Sequence, residues 1–198
     1  MRTTARRVPA LALFDFASEL AGYSDPEFSV GWDGSVFAIA RLSTESPVID
    51  RGIGIFPKSM LDHPTEHVVL RWVRGAVERV TIRNEALVLQ HVQPTPDGLL
   101  AVAGRSHWRP EGPEANAVVY DRDGRELRRF LLGDGINDVR TTPDGTIWVS
   151  YFDEGVFGNF GWGHPGPEPI GAPGLRAFSP TGEPVFAYDA ARAGRHHL

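Results

Sequence analysis

Apolar residues in this chain fall into short runs, each closed by a turn signal before it can grow into a helix-length stripe. Three of these signals share a local grammar: Val30-Gly31-Trp32-Asp33-Gly34-Ser35-Val36-Phe37, Thr95-Pro96-Asp97-Gly98-Leu99-Leu100-Ala101-Val102 and Thr142-Pro143-Asp144-Gly145-Thr146-Ile147-Trp148-Val149. An Asp-Gly pair leading into an apolar, partly β-branched run is a strong short-range hairpin signal. A second marker sits between paired strand-like segments at Arg74-Gly75, Asp123-Gly124 and Thr181-Gly182. Sustained 3.6-residue periodicity is missing, apart from one turn's worth at Phe16 to Ala21.

The intervals between markers define a repeat. A second-marker glycine precedes the next Asp-Gly glycine by 23 residues (Gly75 to Gly98) and by 21 (Gly124 to Gly145). In the other direction the separations are 41, 26 and 37 residues (Gly34 to Gly75, Gly98 to Gly124, Gly145 to Gly182). One half of the unit is nearly constant and the other carries insertions. This is the signature of a four-stranded meander a-b-c-d in which Asp-Gly joins a to b, the second marker joins c to d, and the b–c connection varies. The expectation is an all-β chain, a β-propeller of four-stranded antiparallel blades, with about three blades at residues 27–83, 86–132 and 136–189. A β-sandwich built from similar hairpins is the competing arrangement. Residues 11–16 read as an extra outer strand. Trp148 is expected to be buried between blades, with Ile147 and Val149 on the opposite side of its strand.

Propellers typically need four or more blades to close a ring, so three suggest a half or truncated propeller; an open one would self-associate through its uncovered sheet edges. With 198 residues and 41% hydrophobic content, a single domain with a real core is expected. A net charge of −5 gives no basic field for nucleic acid or anionic lipid. Cysteine is absent, which excludes disulfides, thiol nucleophiles and thiolate metal sites. The short apolar run after Arg6-Arg7 is broken by Pro9 and Asp15 and lacks a cleavage signal, and no run is long enough to span a bilayer, so the reading is cytoplasmic, with no membrane partner.

In a meander the b–c and d–a connections share one end, so the long segments Ser43 to Glu66, Arg105 to Ala115 and Asp153 to Pro173 define one functional face. Candidate ligand-binding residues are taken from it. Asp153, Glu154, Trp162 and His164 lie in the glycine- and aromatic-rich third insertion, where they either line a pocket or pack the end of the fold. His107, Trp108 and Arg109 form a small cluster in the second, open to the same two readings. Asn137 and Asp138 open the third inner strand; as oxygen donors they suit a divalent cation, the one cofactor considered, or else they cap the turn. No HExxH motif, nucleophile elbow or phosphate loop is present.

The stretch Ile136-Asn137-Asp138-Val139-Arg140-Thr141-Thr142-Pro143-Asp144-Gly145-Thr146-Ile147-Trp148-Val149-Ser150 resembles blades of the NHL, streptogramin-lyase and gluconolactonase-like propellers, and Leu89 to Val102 is a weaker copy. The resemblance is at the level of fold. It implies a metal or substrate role for Asn137, but no early Glu sits in a matching motif, and the later-blade His and Glu of the lyases have no counterpart here. Two functions follow as expectations: a propeller-type binding or scaffold module using the long-loop face, for an unknown small molecule or protein; or a metal-dependent hydrolase or lyase, incomplete in this chain.

Overall fold

The computed structural model describes residues 15–50, 52 and 54–189. The expected strand at 11–16 falls largely outside them, as do the N-terminal apolar run and the C-terminal histidines. Alternating short runs punctuated by Asp-Gly leave β-strands as the regular structure. They are β1 (Ser24–Val30), β2 (Val36–Arg41), β3 (Val48–Asp50), β4 (Ile55–Pro57), β5 (Met60–Val73), β6 (Ala76–Leu87), β7 (Leu89–Thr95) and β8 (Gly98–Ala103). There follow β9 (Trp108–Arg109), β10 (Gly112–Pro113), β11 (Ala117–Tyr120), β12 (Glu126–Phe130), β13 (Ile136–Thr141), β14 (Ile147–Tyr151), β15 (Leu175–Phe178) and β16 (Pro184–Ala187), with one five-residue helix, α1 (Asp153–Phe157). No helix among the described residues is long and apolar enough to cross a membrane.

The strands form three four-stranded antiparallel sheets in which order in space follows order in sequence: β1-β2-β5-β6, β7-β8-β11-β12 and β13-β14-β15-β16. The elements skipped between second and third strands are the β3–β4 ribbon, the β9–β10 ribbon and α1. The six marker glycines lie at the first–second and third–fourth hairpins, five in the turns and Gly98 as the first residue of β8, at one end of each sheet. All six except Gly98 have positive φ, the region L-residues with a Cβ avoid.

Packing is face to face. Phe37, Ile39, Val69 and Ile82 of the first sheet meet Leu99, Ala101, Val118 and Tyr120 of the second in one buried cluster. The opposite face of the second sheet, with Leu100, Val102, Ala117 and Val119, meets Val139, Ile147, Val149, Tyr151 and Phe178 of the third. Strand periodicity of two makes this possible, since neighbouring residues serve different clusters. Phe16 covers the outer face of the first sheet over Ala38, Ala40, Val68 and Leu70; at residues 17–22 the chain makes the one expected helical turn, closed by Leu20 N–H to the Phe16 carbonyl at 3.0 Å, and continues no further.

Trp148 departs from expectation. Ile147 and Val149 share the buried face of β14, as alternation requires, but Trp148 is only half-buried on the other side. Its ring lies 5.3 Å from that of Phe186, itself exposed on β16. The cause is that the described residues place no further sheet on that face.

The first strands of the three sheets lie beside one another. Ser29 Oγ donates to the Val92 carbonyl at 2.6 Å and Gln93 Nε2 to the Val30 carbonyl at 3.1 Å. Thr141 Oγ1 donates to the Pro94 carbonyl at 2.7 Å, and Arg140 Nη1 crosses to the Val30 carbonyl at 2.7 Å. At the far side of the sheets, buried Glu85 of β6 accepts from Tyr120 Oη of β11 (2.5 Å) and Arg129 Nη2 of β12 (2.7 Å). Burial favours its protonation, but the bonds from Arg129 and Tyr120 outweigh that and hold its pKa below the ordinary value.

Candidate functional site at the insertion end

The end opposite the hairpin turns carries the three insertions and two cavities. One cavity, about 410 Å³ and termed axial for its place where the first strands of the three sheets lie side by side, is at the start of those strands. Glu27 of β1, Gln90 and His91 of β7, and Asn137 and Asp138 of β13 line it, with Arg105 and Phe152 behind. Burial lowers the His91 pKa, opposed by the Asp138 charge. Burial raises that of Glu27, helped by Asp25. Asp138 is already engaged: Oδ1 accepts the Val139 amide at 2.9 Å and Oδ2 pairs with Arg140 Nε at 2.9 Å. Among the described residues, no group of three or more His, Asp or Glu side chains is placed to hold a metal ion.

The lateral cavity, about 510 Å³, draws on all three insertions. Phe56, Lys58, Ser59 and Asp62 come from the first, His107, Arg109 and Glu114 from the second, and Phe160 from the third. The β9–β10 ribbon pairs Arg109 with Gly112, which brings Glu114 back beside His107. Glu114 Oε2 accepts from Ser59 Oγ at 2.7 Å, the His107 amide at 3.2 Å and His107 Nδ1 at 3.2 Å; Oε1 accepts from Arg109 Nη2 at 2.8 Å. Burial pushes the Glu114 pKa up, yet the bonds from Arg109, Ser59 and the His107 backbone prevail and keep it ionised at neutral pH.

Phe160 lies between an axial-cavity residue and a lateral-cavity residue. The Arg105 guanidinium lies 4.0 Å from its ring centroid and the His107 ring 4.2 Å from it. Arg105 is buried, held by Asp134 through Nε at 2.9 Å and Nη2 at 3.0 Å, with Glu154 Oε2 2.6 Å from Nη1. This planar two-pronged pairing suits a guanidinium better than a lysine ammonium.

The residues expected from sequence divide accordingly. Asn137 and Asp138 reach the axial cavity, and Glu154 reaches it only through Arg105. His107 and Arg109 line the lateral cavity, while Trp108 lines neither and donates its backbone N–H to the Phe160 carbonyl at 2.9 Å. Trp162 is buried and donates Nε1–H to the Ser106 carbonyl at 2.8 Å, a packing role. Asp153 is exposed and accepts the Glu154 amide at 2.9 Å; His164 is exposed. Sequence reasoning missed Ser59, Glu114, Arg105 and Glu27. A signal existed for Glu114: Pro110-Glu111-Gly112 is a tight-turn sequence that folds the second insertion onto itself.

Set against known protein families, curated proteins and solved structures, the chain matches none of them.

Proposed function

We propose that this chain is a propeller-type repeat protein and acts as a binding module whose insertion end receives a small polar ligand. The observation that carries the reading is the meeting of all three insertions at one end. There, Ser59, His107 and Phe160 line one cavity although each belongs to the insertion of a different sheet. The shared strand order of the three sheets and the side-by-side inner strands support the propeller reading. Rigid sheets presenting loops of unequal length are a common way to hold recognition groups.

A thermal-shift screen of small polar molecules against wild type, Asn137→Ala, His107→Ala and the hairpin-end variant Asp123→Ala tests it. Ligands whose stabilisation disappears in an insertion-end variant and survives in Asp123→Ala support the reading. Ligands sensitive only to Asp123→Ala reject it.

The metal-dependent hydrolase reading has one observation in its favour: Glu27, Asn137 and Asp138 line one cavity. Its cost is that a cation would have to displace Arg140 from Asp138. Calorimetry with Ca²⁺, Mg²⁺ and Mn²⁺ on wild type and Asp138→Ala distinguishes the two. Heat lost in the variant supports a cation site, and no heat in either protein removes it.

A further inference from the structure

The lateral cavity contains a histidine whose orientation and tautomer are fixed by its neighbours. Glu114 is an ionised carboxylate and can only accept, so the groups facing it must bring hydrogens. Ser59 has one hydrogen and directs it to Glu114 Oε2 at 2.7 Å. His107 Nδ1 lies 3.2 Å from the same oxygen and 2.9 Å from Ser59 Oγ. If Nδ1 were bare, its lone pair would face a carboxylate; it therefore carries the proton, shared between Oε2 and Oγ. In the neutral ring Nε2 is then the acceptor left for anything in the cavity. The Phe160 contact at 4.2 Å fixes the ring plane.

The unspent polar groups around the cavity are two cationic donors and one exposed carboxylate oxygen, Asp62 Oδ1. Lys58 Nζ uses two hydrogens, on Glu45 at 2.7 Å and Asp62 at 2.9 Å, and has a third. Arg109 commits Nε and Nη2 to Glu114 Oε1, leaving Nη1. Ile49 and Met60, each 40% exposed, and Leu61 give the cavity an apolar wall. Two unspent cationic donors, one oriented acceptor and an apolar wall describe a complementary molecule.

We infer that the lateral cavity is a binding site for a small carboxylate with an apolar body and a hydroxyl or N–H group. The carboxylate meets Lys58 and Arg109, and the donor group meets His107 Nε2. Ser59 and Glu114 are positioning residues, acting through the imidazole. The inference rests on the proposed reading of the insertion end as a ligand-binding face and narrows it to this cavity, whatever the number of sheets.

Titration calorimetry with three probes tests it: 4-hydroxyphenylacetate, phenylacetate, which lacks the donor, and tyramine, which reverses the charge. Wild type should bind 4-hydroxyphenylacetate saturably, phenylacetate about five- to tenfold more weakly, as expected for one hydrogen bond, and tyramine not at all. His107→Phe keeps a ring on Phe160 and removes the nitrogen, so the two acids should bind it equally. Ser59→Ala should narrow their difference without abolishing binding. The comparison of the two acids on wild type needs no variant, so a poorly folded His107→Phe protein would not spare the inference. Absence of saturable 4-hydroxyphenylacetate binding overturns it, as does a hydroxyl preference that survives in folded His107→Phe. Binding that is lost in Asn137→Ala and kept in His107→Phe would place the ligand in the axial cavity and also overturn it.

Discussion

Arg140 donates from Nη1 to the carbonyl of Val30 at 2.7 Å, joining the inner strand of the third sheet to that of the first across 110 residues of sequence. The same carbonyl accepts Gln93 Nε2 from the sheet between them. Gln93 is almost wholly buried, whereas the Arg140 side chain is half exposed. Gln93→Leu should therefore destabilise by about 1–3 kcal/mol, the cost of unpaired buried groups, and Arg140→Met by about 1 kcal/mol or less. Urea denaturation of both variants measures this, and the reverse ranking would contradict the convergence of inner strands described above.

Asn116 has no accessible surface and spends its whole amide on the backbone. Nδ2 donates to the carbonyls of Ala103 at 2.9 Å and Gly133 at 2.8 Å, and Oδ1 accepts the Leu132 amide at 3.0 Å. Asn116→Leu strands three backbone groups and should cost about 3 kcal/mol or more. Asn116→Asp should cost at least as much at neutral pH, because a buried carboxylate would face two carbonyls. Equal stability of Asn116→Asp and wild type in chemical denaturation would show that the amide donors are dispensable.

The two sides of β14 should respond differently to truncation. Ile147→Ala opens a cavity between the second and third sheets and should cost about 2–5 kcal/mol. Trp148→Ala removes a half-buried ring whose aromatic partner Phe186 is 43% exposed, and about 1–2 kcal/mol is expected. A larger loss at Trp148 in thermal melts would mean that its face is covered.

How much of this was legible in the sequence follows from the same strand. Asp144-Gly145 fixed the turn, and alternation put Trp148 opposite Ile147 and Val149. Which side meets a neighbour was not settled by residue type, because Trp148 on one side is as apolar as Ile147 and Val149 on the other. The turn pairs at Asp33, Asp97 and Asp123 were readable for the same local reason. The Ser59–Glu114 contact spans 55 residues and depends on the register of a two-residue ribbon, which composition and spacing do not report. His107 and Arg109 stood out by residue type alone, whereas Ser59 sits in no motif. Glu27 reaches the axial cavity only because three inner strands align.

His67 makes stability depend on pH. It is buried in β5 and neither ring nitrogen has a hydrogen-bond partner. Burial lowers its pKa to about 4, with Arg41 adding to the effect and Glu85 opposing it. The unfolded chain, with a pKa near 6.5, binds a proton that the folded chain refuses between those values. Stability is therefore intact above about pH 6.5 and falls by roughly 2–4 kcal/mol as pH drops to about 4, after which this group contributes no further loss. His67→Leu should flatten that segment of the stability–pH curve and raise stability at neutral pH, since it removes two unsatisfied polar atoms. Denaturation midpoints from pH 4 to 8 for both proteins would check it, and parallel curves would exclude His67 as the source.

The turns between third and fourth strands bear on how the sheets are spaced. A Cβ on Gly124 would collide with the Thr81 carbonyl of the preceding sheet, and one on Gly182 with the Phe130 ring of the sheet before its own. Side-chain volume in the core therefore sets how full each gap is, while at this margin the width of the gap is set by a turn resting on its neighbour's last strand. The sheets are gathered along one margin like bound pages, and the opposite margin holds the three insertions. A single methyl at Gly124 would have to push two sheets apart.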